Sequence, residues 1–148
     1  ADSGYGQGQI LMNPVQLASI YSSFVNEGSI YQPHIVQGKT KTWIKNIFSK
    51  ETTKTIKEDL INVIADEKGT GHSIYHDNVT LAGKTGTAEI KQSQSDTTGT
   101  ELGWFTVMTT DSKQPLLITT MVEDVKDRGG SGYVVEHTKT PLDLYLSK

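Results

Sequence analysis

Apolar residues recur with helical spacing from residue 14 onward. Asn13 and Pro14 have the character of an N-cap and a first helical residue, and Gly28 that of a C-terminal glycine. The pattern predicts a helix over 14–27. Its apolar stripe is wide: Val15, Leu17, Ala18, Ile20, Tyr21, Phe24 and Val25. A helix that is apolar on so many sides is expected to be mostly buried.

A second helical pattern begins after Ser49, a residue suited to capping, and carries Glu51 in its first turn. Its apolar positions are spaced i, i+4, i+7 and i+8, namely Ile56, Leu60, Val63 and Ile64. We expect this helix to extend to about Asp66 and to be terminated by the segment Gly69-Thr70-Gly71.

The remaining apolar runs are short and β-like. Segments 30–36 and 42–47 predict short strands around Gly38-Lys39, the first an edge strand because of Pro33. Segment 79–91 predicts a strand, and segments 102–110 and 116–122 an antiparallel hairpin. An amphipathic segment follows from Ser131, in which Pro141 must start or kink a helix. The fold class expected is α+β, an antiparallel sheet flanked by helices.

Composition narrows the possible functions. The chain has 148 residues, 14 basic and 17 acidic side chains and no cysteine. It is long enough for one modest domain, and without a basic run nucleic acid is not an expected partner. There is no apolar run long enough to span a membrane and no disulfide framework. The chain begins at Ala1 without methionine in a glycine-rich stretch, which suggests a piece of a longer protein.

The stretch with the strongest chemical character is Lys84-Thr85-Gly86-Thr87. In a strand, Thr85 and Thr87 share one face with Glu89, and Lys84 lies on the other. Two hydroxyls, backbone amides and a cation suit a carboxylate or an oxyanion. Three interpretations compete: an ordinary strand, a phosphate-binding loop, and the K-T-G element of serine penicillin-recognising enzymes. The loop is disfavoured because Asn78 stands where its first glycine belongs.

Other candidate sites are weaker. His72 and His76 have helical spacing, but Ser73 stands where the zinc-protease pattern needs glutamate, so surface histidines are favoured. Gly129-Gly130-Ser131-Gly132 fails the nucleophile-elbow pattern because Tyr133 replaces its last glycine. The leader over residues 1–9 is either a flexible tail or a cleft-lining loop that presents Tyr5 and Gln7.

Six segments together resemble the class B penicillin-binding proteins, with the closest likeness to the low-affinity, β-lactam-tolerant enzymes of Gram-positive bacteria. In chain order they are Ser3-Gly4-Tyr5-Gly6-Gln7-Gly8; Asn13-Pro14-x-Gln16; Tyr21, Asn26 and Gly28; Gly69-Thr70-Gly71; Ala82 to Glu89; and Gly103-Trp104-Phe105. The resemblance implies that residues 1–148 are the C-terminal part of a transpeptidase domain. It also implies three strands, 80–91, 102–110 and 116–124, of a five-stranded antiparallel sheet.

The resemblance further implies roles for the Lys84 stretch. Lys84 would assist electrostatics and proton transfer, and the Thr87 amide would be an oxyanion donor. Thr85 and Thr87 would bind the carboxylate of a D-Ala-D-Ala stem peptide or a β-lactam, with Gly86 keeping the strand edge clear. Tyr5 and Gln7 would border the cleft. No cofactor and no metal are implied, and the location implied is the extracellular face of the cytoplasmic membrane, with an anchor absent from this chain.

One departure from the family pattern matters. No serine is followed three positions later by lysine or two positions later by asparagine, so the S-x-x-K and S-x-N elements are missing. The chain would supply the substrate anchor but not the nucleophile, and its partner would be the N-terminal half of the same domain. A β-lactam sensor, a serine β-lactamase domain and a non-catalytic peptidoglycan-binding module remain alternatives.

Overall fold

The computed structural model describes residues 10–91, 93, 95, 96, 98–111 and 113–148. It has the expected α+β class, with helices α1, α2 and α3, strands β1 to β5 and a short 3₁₀ turn at His72–Ile74. The bounds are α1 Pro14–Ser22, β1 Ile30–Tyr31, β2 Thr42–Ile44, α2 Lys50–Ala65, β3 Leu81–Ile90, β4 Thr100–Thr109, β5 Leu117–Glu123 and α3 Ser131–Leu146.

Helix α1 begins as predicted but ends early, so the expected helix over 14–27 is wrong at its C-terminal end. The Asn13 side chain accepts a hydrogen bond from the Val15 amide, as an N-cap does. From Ser23 onward the backbone amides bond three residues back, Ser23 to Ile20 at 3.1 Å, which is 3₁₀-type closure. Gly28, at φ +79°, then ends the segment.

Helix α1 is also less buried than its apolar stripe predicts. Among its residues only Ser19 is buried, and Val15 is 55% exposed. Leu11, just before the helix, is 95% exposed. The described residues therefore leave the apolar surface at the start of α1 largely uncovered.

Strands β1 and β2 are shorter than predicted. They pair antiparallel, Ile30 with Ile44 and Tyr31 with Thr42, and the register shifts between the two pairs. Pro33 cannot donate to a ladder, which accounts for the early end of β1. This small sheet is separate from the main one.

The main sheet has the order β3-β4-β5 and is antiparallel throughout. β3 pairs with β4 along its whole length, from Leu81 opposite Thr109 to Ile90 opposite Thr100. The predicted hairpin of β4 and β5 beside the Lys84 strand is confirmed. Ser112, in the connection between them, lies outside the described residues, as do Gln92, Gln94 and Thr97 of the polar loop before β4.

The sheet has a hydrophobic cluster on each face. One face packs on α3, with Phe105 and Val107 buried against Val134 and Leu142. The other carries Ala82 and Met108, which pack against Leu60 of α2 and the segment that follows α1; the residues in that second cluster are Phe24, Leu60, Ala82 and Met108. β3 thus lies between two packed layers, which fixes its side chains in position.

Helix α3 passes through Pro141, so the alternative that this proline starts a helix is wrong. The helix begins at Ser131, directly after Gly129 and Gly130, both at positive φ. Pro141 is exposed, so its ring faces solvent; it cannot donate to the His137 carbonyl as a helical residue would. Among the described residues, no helix is long and apolar enough to cross a membrane.

Candidate active-site strand

The side chains of β3 alternate as predicted. Thr85 lies opposite Phe105 on the face that packs against α3. Lys84 lies on the other face, at the side of a groove of about 490 Å³ lined mainly by apolar residues of α1 and α2. The threonine hydroxyls and the Lys84 ammonium therefore lie on opposite faces of β3, so a ligand can contact both only at the edge of this strand.

The backbone of β3 determines what that edge presents. The Thr110 amide donates to the Thr80 carbonyl at 3.0 Å, which makes Thr80 and Thr110 a hydrogen-bonded pair. Bonded and non-bonded pairs alternate along an antiparallel ladder. By this alternation Lys84 and Gly86 bond to β4, and the amides and carbonyls of Thr85 and Thr87 point to the edge away from β4, here called the outer edge.

The Lys84 ammonium is held at the outer edge. Its Nζ donates to the Thr85 carbonyl oxygen at 2.6 Å. The groove beside it contains Tyr21, and burial raises the pKa of that phenol above its ordinary value. Tyr21 therefore stays neutral, and Lys84 lines the same groove beside the strand.

Thr85 is 8% exposed, and its hydroxyl lies 2.8 Å from the hydroxyl of Thr70. Thr70 belongs to the Gly69-Thr70-Gly71 segment that follows α2. Sequence reasoning identified this segment only as a helix end and as part of the resemblance. Its contact with the strand joins residues 15 apart in the chain, which no local pattern could indicate.

Thr87 lies beside the start of α3. A Cβ placed on Gly130 would come within 3.5 Å of the Thr87 hydroxyl oxygen. Gly130 adopts φ +60° and ψ −134°, a conformation open essentially to glycine alone. The turn before α3 therefore borders the strand, a contact that the sequence did not indicate.

Gly86 is not required by packing among the described residues. A Cβ there would meet the Cβ of Trp104 at 3.5 Å, an ordinary contact. Gly83, in contrast, would place a Cβ 2.9 Å from Ile64 Cδ1 and 3.0 Å from the Thr106 carbonyl oxygen. Of these two glycines in β3, only Gly83 is needed for packing among the described residues.

Residues 1–140 match the penicillin binding protein transpeptidase domain. The chain belongs to this family.

Similarity to individual proteins agrees with the family. The chain is 43% identical over 142 residues to penicillin-binding protein 3 of Bacillus subtilis, covering 94% of this chain and 21% of that protein. It is 25% identical to the peptidoglycan D,D-transpeptidase MrdA of Haemophilus influenzae, covering 98% of this chain and 25% of that one. The chain spans about a fifth to a quarter of the length of these relatives.

Solved structures support the fold. The imipenem acyl-enzyme complex of penicillin-binding protein A from M. tuberculosis superimposes with a TM-score of 0.72 at 18% identity. The match covers 97% of this chain and 33% of that one. The α+β arrangement described above is thus part of a penicillin-binding transpeptidase fold.

The remaining candidate residues of this transpeptidase segment are Tyr5, Gln7 and the two histidines, His72 and His76. Tyr5 and Gln7 lie outside the described residues. His72 Nδ1 lies 2.9 Å from the Ile64 carbonyl oxygen, and His76 Nε2 lies 3.0 Å from Asp143 Oδ1. The two histidines thus have different partners, and the described part of the chain contains no group of three or more potential metal ligands.

Proposed function

We propose that this chain is the C-terminal part of a serine D,D-transpeptidase that cross-links peptidoglycan through an acyl-enzyme on D-Ala-D-Ala stem peptides. β-Lactams would acylate the same enzyme. The observation that carries the proposal is the outer edge of β3, where the Thr85 and Thr87 amides point away from β4 beside the Lys84 ammonium. Amides and a cation preorganised at an edge stabilise developing negative charge on an acyl group.

Each residue has a proposed task. Lys84 assists electrostatics and proton transfer at the nucleophile, and the Thr87 amide donates to the oxyanion. Thr85 and Thr87 bind the substrate carboxylate, and Gly86 lets the substrate backbone approach β3. Tyr5 and Gln7 border the cleft. The mechanism needs no cofactor and no metal, because acyl transfer to serine uses an oxygen nucleophile and a positioned base.

The nucleophile must come from another segment, since this chain contains neither S-x-x-K nor S-x-N. We propose that the N-terminal half of the same domain supplies both. The apolar groove between α1 and α2, which the described residues leave open with Lys84 at its side, is where that half would pack. The location we propose is the outer face of the cytoplasmic membrane, with the anchor in a segment outside this chain.

A finer proposal concerns β-lactam affinity. The six ordered segments resemble the low-affinity, β-lactam-tolerant class B enzymes. We therefore expect slow acylation by common penicillins. Second-order acylation constants for a panel of penicillins and cephalosporins, compared with a sensitive class B enzyme, would test this; equal or faster constants would contradict it.

The main proposal is tested on the full-length protein with fluorescent penicillin and with a stem pentapeptide. We expect one covalent label that survives denaturation, and release of the terminal D-Ala from the peptide. Rapid turnover of the penicillin would indicate a β-lactamase instead. Stable acylation without D-Ala release would indicate a β-lactam sensor. Reversible binding of stem peptide without any label would indicate a non-catalytic peptidoglycan-binding module.

A further inference from the structure

The Gly69-Thr70-Gly71 segment is hydrogen-bonded to the end of α2. The Gly69 amide donates to the Asp66 carbonyl at 2.8 Å, and the Gly71 amide donates to the Val63 carbonyl at 3.0 Å. A side chain at Gly69 would collide with the Val63 carbonyl, and one at Gly71 would lie 3.2 Å from Ile64 Cγ1. A side chain at Gly69 therefore cannot be accommodated without a shift of the backbone, and one at Gly71 would be tight, so the segment lies close against α2 with Thr70 between the two hydrogen-bonded glycines.

This segment brings the Thr70 hydroxyl within 2.8 Å of the Thr85 hydroxyl. The two ends of the contact differ in exposure, since Thr70 is exposed and Thr85 is only 8% exposed. Because Thr85 is largely buried, a protein hydrogen-bond partner contributes to the orientation of its hydroxyl. Among the described residues, Thr70 is that hydrogen-bond partner.

The direction of the bond decides what Thr85 can offer a ligand. Each hydroxyl has one proton to donate and two lone pairs. When Thr70 donates to Thr85, the Thr85 proton remains available for an acceptor, and a hydroxyl that accepts one bond donates a stronger one. A carboxylate can only accept, so it selects this direction.

We propose that Thr70 is a positioning residue that orients the Thr85 hydroxyl to donate to the carboxylate of the substrate. The inference rests on the proposed function of Thr85 and gives the Gly69-Thr70-Gly71 segment a role in recognition. Thr70 does not contact the substrate in this arrangement, because it acts through Thr85.

The test uses the full-length protein and two probes, benzylpenicillin with its free carboxylate and its neutral methyl ester. Thr70→Val keeps the side-chain shape but removes the hydroxyl. We expect it to slow acylation by the acid about three- to tenfold, the range for one hydrogen bond, and to change the ester rate by less than about twofold. Thr70→Ser restores the hydroxyl and is expected to restore the acid rate.

Two further variants separate positioning from general damage. Thr55→Val is a matched control, because Thr55 is exposed on α2, and we expect no change in either rate. If Thr70 acts through Thr85, the double variant Thr70→Val with Thr85→Val reacts with the acid no more slowly than Thr85→Val alone.

The outcomes distinguish this inference from the proposed function. Equal slowing of acid and ester by Thr70→Val, or no slowing at all while Thr85→Val slows the acid, would overturn the role of Thr70 alone. If Thr85→Val itself leaves the acid rate unchanged, the proposed role of Thr85 is wrong and the inference is wrong with it. If the unaltered protein is not acylated at all, the proposed function itself is wrong.

Discussion

The Lys84 ammonium nitrogen lies 2.6 Å from the carbonyl oxygen of Thr85, the next residue of β3. Because that carbonyl points to the outer edge of the strand, the bond holds a cation at the edge where the acyl group is proposed to bind. Because this hydrogen bond joins adjacent residues, it forms wherever this part of the chain is a strand paired in the register seen here.

Replacement of Lys84 tests its electrostatic role. In the full-length protein, Lys84→Ala should slow acylation by fluorescent penicillin about 10²- to 10³-fold, because loss of one preorganised group at developing charge costs that much. Lys113→Ala, an exposed lysine in the connection between β4 and β5, serves as control and should leave the rate unchanged. A folded Lys84→Ala protein whose acylation rate stays within about twofold of the original would refute the assigned role.

Two glycines of β3 should respond differently to alanine. Gly83→Ala should lower the free energy of unfolding by about 1–3 kcal/mol, because its Cβ would overlap Ile64 and the Thr106 carbonyl. Gly86→Ala meets only an ordinary contact with Trp104, so stability should be nearly unchanged. Its acylation rate should nevertheless fall about tenfold, because the methyl group blocks close approach of the ligand.

Thermal unfolding and stopped-flow acylation on the same two variants measure both effects. The prediction for Gly86 is wrong if stability falls as far as in Gly83→Ala, or if acylation is unaffected. Gly132→Ala provides a control in α3, where nothing lies within 4 Å of the added Cβ.

The contact between Asp143 of α3 and its two partners should make stability depend on pH. Lys139 Nζ lies 2.7 Å from Asp143 Oδ2, and the hydrogen bond to Lys139 and then that to His76 lower the pKa of this carboxyl. Because the pKa of Asp143 is lower in the folded than in the unfolded state, its ionised carboxylate stabilises the fold. This stabilisation is fully present above the unfolded-state pKa, near 4, and is lost as the pH falls through the folded-state pKa. The side chains are 40% exposed, so the contribution should be below about 1 kcal/mol.

Asp143→Asn should therefore lower the melting temperature of the full-length protein at pH 6 to 7, and the difference should shrink as the pH falls below about 4. Asp127→Asn, at an exposed position before α3, should show no such trend. A difference between Asp143→Asn and the original protein that is constant from pH 7 to pH 3 would contradict the assignment.

Much of the fold followed from local patterns. The Ser49 cap and the spacing of Ile56, Leu60 and Ile64 predicted α2 within a residue or so, and alternation predicted β4 and β5. The end of α1 was predicted wrongly because apolar spacing continues past Ser22, where the backbone tightens into 3₁₀ turns instead. The spacing of apolar residues shows which side chains are apolar, but it does not determine which carbonyl oxygen each backbone amide bonds.

For the candidate site, sequence predicted the alternation of Lys84 and Thr85 across β3. It did not predict that Thr70 bonds to Thr85, or that Gly130 lies beside Thr87. Both contacts join segments far apart in the chain, and their geometry depends on how α2 and α3 pack on the sheet. Such contacts follow from tertiary structure alone.

We propose that this chain carries the substrate-binding strand of a serine transpeptidase but not its nucleophile. Intact-mass and peptide-mapping mass spectrometry after incubation with benzylpenicillin tests it most directly. The full-length protein should gain one penicilloyl group, mapped to a serine outside these 148 residues, and the isolated 148-residue chain should gain none. An adduct on any residue of this chain, or no adduct on the full-length protein, would contradict the account.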